Sequence, residues 1–358
     1  MPISIDYQTA EGVLLEALRL AQTDAKLPVV WKSHARAVFD LDAKTWTPAF
    51  GTILLAKAVD DRIDTMSLKV DESNPSSYSA RGLCHKVLVP AAKQHGFSIR
   101  NRGDEPLNNQ PFFRYDRIDR IDRVRRPADR EYFFDVAEQA SKLNAPEALL
   151  AFAAFLREAL QVTASARSVT VKAAGLTSNG ARVAVEDFLR YDAADRPARL
   201  QAFAAACLDL LFEEVKTRRV NDPSRDLPGD VQAVADSTVV LALEVKGKPI
   251  SADQLGGFAD ECEKAGVSRA VMFVDAPQQK ANLPAHVQVN NQLRSGVQVE
   301  AYDSAAKLLA ACSLWSKLPL ESAIERFAER FLVRLRDIEV PTDTLKQWER
   351  AVAVAQSR

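Results

Sequence analysis

An α/β core set inside a largely helical chain is the fold class this sequence predicts. Three observations predict it. Much of the first 165 residues carries apolar side chains at helical spacing. Between Gly229 and Lys246 the pattern changes to β-branched and apolar runs. From about Arg196 onward the segments read helix, strand, strand, helix, strand, strand, the order of an α/β layer structure.

In chain order, Thr9 to Ala25 places Leu14, Ala17, Leu18 and Ala21 on one helical face, with Thr9 as its cap. A second helix is predicted from about Ala49 to Asp60. Polar residues and Pro75 make Asp71 to Ser79 a loop. Ala80 to His95 reads as a helix closed by Gly96, and Asn101 to Pro111 as another polar loop. Tyr132 to Ala164 reads as two packed helices broken near Asn144 to Pro146, and Ser168 to Lys172 as a short strand. Arg196 to Arg219 is predicted helical, because Leu200, Phe203, Cys207, Leu211 and their neighbours share a face.

Gly229 to Ala235 and Thr238 to Lys246 predict an antiparallel hairpin that turns at Asp236 and Ser237. Ser251 caps a helix reaching Ala265. Arg269 to Asp275 and Val297 to Tyr302 follow as strands, and two helices flank Pro341. The thrice-repeated Asp-Arg-Ile/Val of Asp116 to Val124 matches no solenoid period and suits either a helix or an extended segment. The expected organisation is a mostly helical region over 1–165, a catalytic core over 166–312 and C-terminal helices over 313–358.

Composition narrows the class of function. With 358 residues, 47% of them hydrophobic, the chain can bury a sizeable core and hold two or three domains. No apolar run of about 18 residues stands out, so no membrane span is expected. The N-terminus lacks the basic and apolar regions of a signal peptide. Cys84, Cys207, Cys262 and Cys312 lie far apart with no CxxC pair, which argues for a reducing cytoplasm. His34, His85, His95 and His286 show no zinc spacing, and no GxSxG, Walker A or GxGxxG element is present. A formal net charge of −1 conceals an asymmetry: Ser79 to Arg130 holds 12 Lys/Arg against 6 Asp/Glu. Such a basic segment suits contact with phosphates.

The chemistry concentrates on Asp230, at the entry to the hairpin, and on Glu244-Val245-Lys246 in its second strand. Residues two apart on a strand project to one face. Two carboxylates gathered at one place raise each other's pKa, and a divalent cation relieves the conflict. Mg²⁺ suits oxygen ligands and keeps several waters. Beside it, Lys246 can position a nucleophilic water and offset charge on a phosphoryl transition state. A Glu-x-Lys triplet arises about once by chance in such a chain, so context must decide. Glu214-Val215-Lys216 repeats the triplet at the end of a predicted helix, where i and i+2 diverge. Glu213 or Glu214 remains a candidate for orienting metal or water. Gln254 and Lys248 are candidates for DNA backbone contact.

Asp230 with Glu244-Val245-Lys246 resembles the PD-(D/E)XK nuclease signature. The stretches Tyr78-Ser79-Ala80-Arg81-Gly82-Leu83-Cys84-His85-Lys86 and Glu105-Pro106-Leu107-Asn108-Asn109-Gln110-Pro111-Phe112-Phe113-Arg114 resemble the SacI-type family of type II restriction endonucleases. That resemblance covers most of the chain. It implies a restriction-endonuclease-like core, a mixed sheet flanked by helices, and a helical N-terminal recognition region. It implies a homodimer cutting double-stranded DNA with Mg²⁺ at a palindromic hexamer such as GAGCTC, and a protective methyltransferase as genetic neighbour. Residue chemistry agrees with recognition: Asn108, Asn109, Gln110 and Arg114 carry groups that read adenine and guanine edges, and Arg81 and Lys86 suit phosphates. The alternatives are a repair or structure-specific nuclease on the same scaffold, and a DNA-binding protein without hydrolytic activity.

Overall fold

The computed structural model describes residues 1–101, 103–108, 111–124, 126–190, 192–193, 195–217, 228–279 and 282–357. The chain divides into two units, Met1–Ser165 and Ala166–Arg358. The helices after residue 312 belong to the second unit.

Unit 1 holds α1 (Tyr7–Gln22), α2 (Val29–Asp40), α3 (Trp46–Val59), α4 (Ala80–Leu83), α5 (Val89–His95), α6 (Pro127–Ser141) and most of α7 (Ala145–Ser168). The middle helix α3 is buried from Trp46 to Ala58, because its sequence is apolar on nearly every face. The α1 cap is Asp6, whose carboxylate accepts from the Thr9 amide at 2.8 Å and from the Thr9 hydroxyl at 2.7 Å. The helix therefore starts ahead of the predicted cap. The helix expected over 80–95 opens into a wider turn at Cys84–Leu88, where the Val89 amide donates to the Cys84 carbonyl. Pro90 accounts for this, since it lacks an amide hydrogen and its ring crowds the carbonyl four residues back. Gly96 ends the segment at φ +67°, as predicted.

Two further expectations are corrected in this region. Against the expectation of no long apolar run, α7 is long and apolar enough to cross a bilayer. Its Ala148, Ala151, Phe152, Phe155 and Ala159 are buried, and Arg157 and Glu158 stand in its middle. It is thus the core helix of unit 1. No strand forms at residues 168–172, because α7 runs through Ser168 and the Val169 carbonyl is taken by Arg336 rather than by a neighbouring strand. The Asp-Arg repeat is neither a continuous helix nor a strand. It makes one 3-10 turn at Ile118–Arg120, with Ile118 and Ile121 buried, Asp119, Arg120, Asp122 and Arg123 exposed, and Arg117 half-buried against Asp64 and Asp119.

Unit 2 runs α8 (Ser178–Phe188), α9 (Arg196–Leu208), β1 (Glu214–Thr217), β2 (Val231–Ala235), β3 (Thr238–Lys246), α10 (Ala252–Lys264), β4 (Arg269–Val274), α11 (Leu283–Leu293), β5 (Gln298–Tyr302), α12 (Ala305–Trp315), α13 (Leu320–Asp337) and α14 (Thr342–Gln356). Among the described residues, five strands form one mixed sheet in the order β1-β2-β3-β4-β5. The first three are antiparallel, and β3, β4 and β5 are parallel. Asp236 (φ +49°) and Ser237 (φ +63°) turn the predicted hairpin, the backbone that matches strand twist in a two-residue loop. Alternation along β3 sends Leu241 and Leu243 into a cluster with α9, α12 and α13, and Ala242 into a cluster with α10. The sheet is therefore covered by helices on both faces.

The helix predicted over 196–219 is shorter than expected. It stops at Leu208, after which buried Asp209 is bound by Arg330 at 2.9 Å and by Arg334. Four residues beyond Leu210 the chain is already a strand, paired with β2. Residues 218–219 of that expectation lie outside the described residues.

Candidate active site

The site begins with a turn that only glycine fits. Gly229 sits at φ +82°, and a Cβ there would lie 3.0 Å from both the amide nitrogen and the carbonyl oxygen of Leu243. Gly229→Ala should therefore destabilise unit 2 by about 1–3 kcal/mol, the range for a residue held in a sparsely allowed conformation. Urea unfolding that showed no loss would remove this turn as the anchor of the site.

The next residue, Asp230, is held by its main chain and its side chain. Its amide donates to the Leu243 carbonyl at 2.9 Å. Gln201 on α9, itself buried, donates its Nε2 to the Asp230 carbonyl at 3.0 Å. The Asp230 Oδ2 accepts from the Val245 amide at 2.9 Å. One acid thus lies against the peptide between Glu244 and Lys246.

Those two residues continue the Ala242 row of β3, so strand alternation puts them on the α10 face. The Lys246 Nζ donates to the Glu244 Oε1 at 2.5 Å, with the two side chains 35% and 22% exposed. Half-burial keeps the pair together while leaving it reachable from solvent. The outer end of β3 is fastened too, since the Asp275 amide donates to the Lys246 carbonyl at 2.9 Å. Burial pushes the Asp275 carboxyl above the usual carboxylate range, and the Arg196 guanidinium beside it pulls the other way.

Among the described residues, no group of three or more His, Cys, Asp or Glu side chains is placed to hold a metal. A pair of carboxylates without histidine or thiolate does not fit zinc. It does fit Mg²⁺, which takes one or two carboxylates and completes its shell with water and substrate phosphate. All four cysteines are buried and free.

Glu214 is a correction. It was expected at a helix end and as an aid to the site, but it begins β1 and faces Val234 across the ladder. Asp230 adjoins Val231 at the other end of β2, so Glu214 lies about 13 Å up the sheet at roughly 3.3 Å per residue. Its carboxylate is paired with Lys216 at 3.0 Å, and both side chains are more than half exposed. Glu213 is exposed as well. The duplicated triplet is therefore a strand in both copies. What separates them is position: one lies on the outer strand, the other beside Asp230 in the sheet interior.

The expected DNA contacts also divide. Arg81 donates from Nη2 to the carbonyls of Phe112 (2.5 Å) and Tyr115 (2.8 Å), so its guanidinium fastens a turn. Gln254 is likewise occupied by capping. Its Oε1 accepts from the Ser251 amide at 3.0 Å, while the Ser251 hydroxyl accepts in return from the Gln254 amide. Lys86 is exposed, and Lys248 is exposed in the loop just after β3. Asn108 is exposed and donates to Glu105 at 2.7 Å. Arg114 is exposed and lies over the Phe113 ring at 5.2 Å. Asn109 and Gln110 lie outside the described residues.

Three residues at this site escaped the sequence reading: Gln201, Arg196 and Asp275. Their signal was a polar side chain on the buried face of an otherwise apolar helix, and an acid closing a buried strand. Either is costly unless partnered.

Comparison with known proteins bears on this geometry. The family described as the SacI restriction endonuclease N-terminal domain matches residues 9–164. The type II restriction enzyme SacI of Streptomyces achromogenes is 34% identical over 360 residues, covering 97% of this chain and 98% of that protein.

Proposed function

Because this chain belongs to the SacI family of type II restriction enzymes, we propose that it is a magnesium-dependent endonuclease of the PD-(D/E)XK type. On this reading it hydrolyses double-stranded DNA at a short palindrome, such as GAGCTC, with Asp230, Glu244 and Lys246. The observation that carries the site assignment is the 2.9 Å bond from the Val245 amide to Asp230 Oδ2, which brings one acid against the peptide joining a second acid to an amine.

Asp230 and Glu244 would hold Mg²⁺, which when bound lowers the pKa of a water and offsets phosphate charge. The protein's own contributions follow from its bonds. Val245 and Gln201 fix Asp230 before DNA arrives, so little reorganisation remains for the reaction. Lys246, held on Glu244, supplies positive charge where the phosphate becomes more negative and a donor to orient the attacking water. A single Asp-Glu-Lys set cuts one strand, so a two-fold palindrome calls for a second copy of the chain related by the same symmetry. Arg114 and Asn108, exposed in unit 1, are the described candidates for reading base edges, with Lys86 and Lys248 for phosphates.

Digesting a plasmid with Mg²⁺ and sequencing the fragment ends tests this directly. Discrete fragments sharing one short palindromic sequence are expected, with no product in EDTA. A smear, or cutting only at nicks and junctions, would point to a repair nuclease. Salt-sensitive binding without any product would leave a non-catalytic DNA-binding protein.

A further inference from the structure

We infer that Arg196 is a positioning residue for Lys246, acting through the end of β3 rather than on DNA. This rests on the site reading above.

Arg196 opens α9, and its side chain is only 8% exposed. Three of the four hydrogen bonds described for its guanidinium end on the segments that bracket the site. The Nε donates to the Leu189 carbonyl at 3.0 Å, the Nη1 to the Gly247 carbonyl at 3.4 Å, and the Nη2 to the Asp275 carbonyl at 2.7 Å and carboxylate at 2.9 Å. Gly247 follows Lys246 directly, and Asp275 donates its amide to the Lys246 carbonyl at 2.9 Å. Lys246 is thus gripped from both flanks: Asp230 holds the amide before it, and the Arg196–Asp275 pair holds the carbonyls at and after it. The fit is close, for a Cβ on Gly247 would lie 3.0 Å from Arg196 Nη1 and 3.3 Å from Leu200 Cδ1.

A planar fork is what this position uses. It reaches three carbonyls and one carboxylate in fixed directions, which a lysine ammonium on a flexible stem does not reproduce. An amine displaced by about 1 Å from its working place loses roughly 10²-fold in rate. Among the described residues the side-chain partner of Lys246 is Glu244, which rides on the same strand and so moves with it.

The test compares Arg196→Lys and Gly247→Ala with wild type in single-turnover cleavage, alongside DNA binding in EDTA and thermal melting. Arg196→Lys keeps the charge opposite Asp275, and Gly247→Ala keeps both charges but crowds the fork. The single-turnover rate constant should fall about 10–100-fold in Arg196→Lys, and severalfold in Gly247→Ala, with DNA affinity unchanged. A merely structural role would lower the reacting fraction and the melting temperature but leave the rate constant of the folded molecules unmoved. If Arg196→Lys fails to fold, Gly247→Ala decides. A wild-type rate constant in whichever folded variant decides overturns the inference. Lys246→Ala run in parallel separates the two readings. If it is inactive while Arg196→Lys cleaves normally, only the positioning role falls. If it cleaves normally, the site assignment falls and the positioning role with it.

Discussion

Lys246→Ala should lower the single-turnover cleavage rate by about 10²–10³-fold, the loss seen when one preorganised donor to a transition state is removed. DNA affinity should change by less than about threefold, since a half-buried amine already engaged with Glu244 contributes little to holding the phosphate backbone. On the proposed mechanism the amine would act where charge builds up, and half-burial reduces the screening that weakens exposed charges. It is measured with enzyme in excess over a labelled duplex, together with fluorescence anisotropy in EDTA. Cleavage at the wild-type rate would remove Lys246 from the chemistry. A parallel loss of binding would recast it as a phosphate clamp.

Asp230→Asn should cost a similar 10²–10³-fold, for a different reason. The amide oxygen of asparagine still accepts from the Val245 amide, so the turn that Gly229 permits stays in place. What disappears is the negative charge that would hold Mg²⁺, and with it the several kcal/mol of charge stabilisation a bound cation contributes. Calorimetric titration with Mg²⁺ should show weaker binding, while the melting temperature stays near that of wild type. Asp230→Ala, by contrast, removes both the charge and the acceptor and should melt lower. Magnesium-dependent cleavage undiminished in Asp230→Asn would mean that this carboxylate serves the fold alone.

Particular residues show how far the chain could be read before folding. The hairpin was legible because both of its strands are β-branched and apolar, and because Asp236 and Ser237 are residues that tolerate a left-handed turn. Glu244 and Lys246 were legible as neighbours because strand geometry alone puts i and i+2 together. Family resemblance was legible in the segments around Arg81 and Asn108, which fall inside the matched residues 9–164. The misreadings share a cause. Glu214-Val215-Lys216 looked like a helix end because the preceding apolar pattern continues to Phe212, yet the segment pairs with β2 and buries Val215 in the core between the sheet and the helices that cover it. Arg81 and Gln254 looked available because carbonyl and amide partners leave no trace in sequence spacing.

The amino-acid order alone determined which residues offer the chemistry of the proposed site and which two of them share a strand face, because those depend on covalent spacing and local backbone geometry. Tertiary structure decided the rest: that Asp230 lies against Val245, that Gln201 and Arg196 brace the site from α9, and that Glu214 is stranded on the outer edge. Four-residue segments and single polar side chains have too little local preference to choose a state, so the partners that bury them choose it.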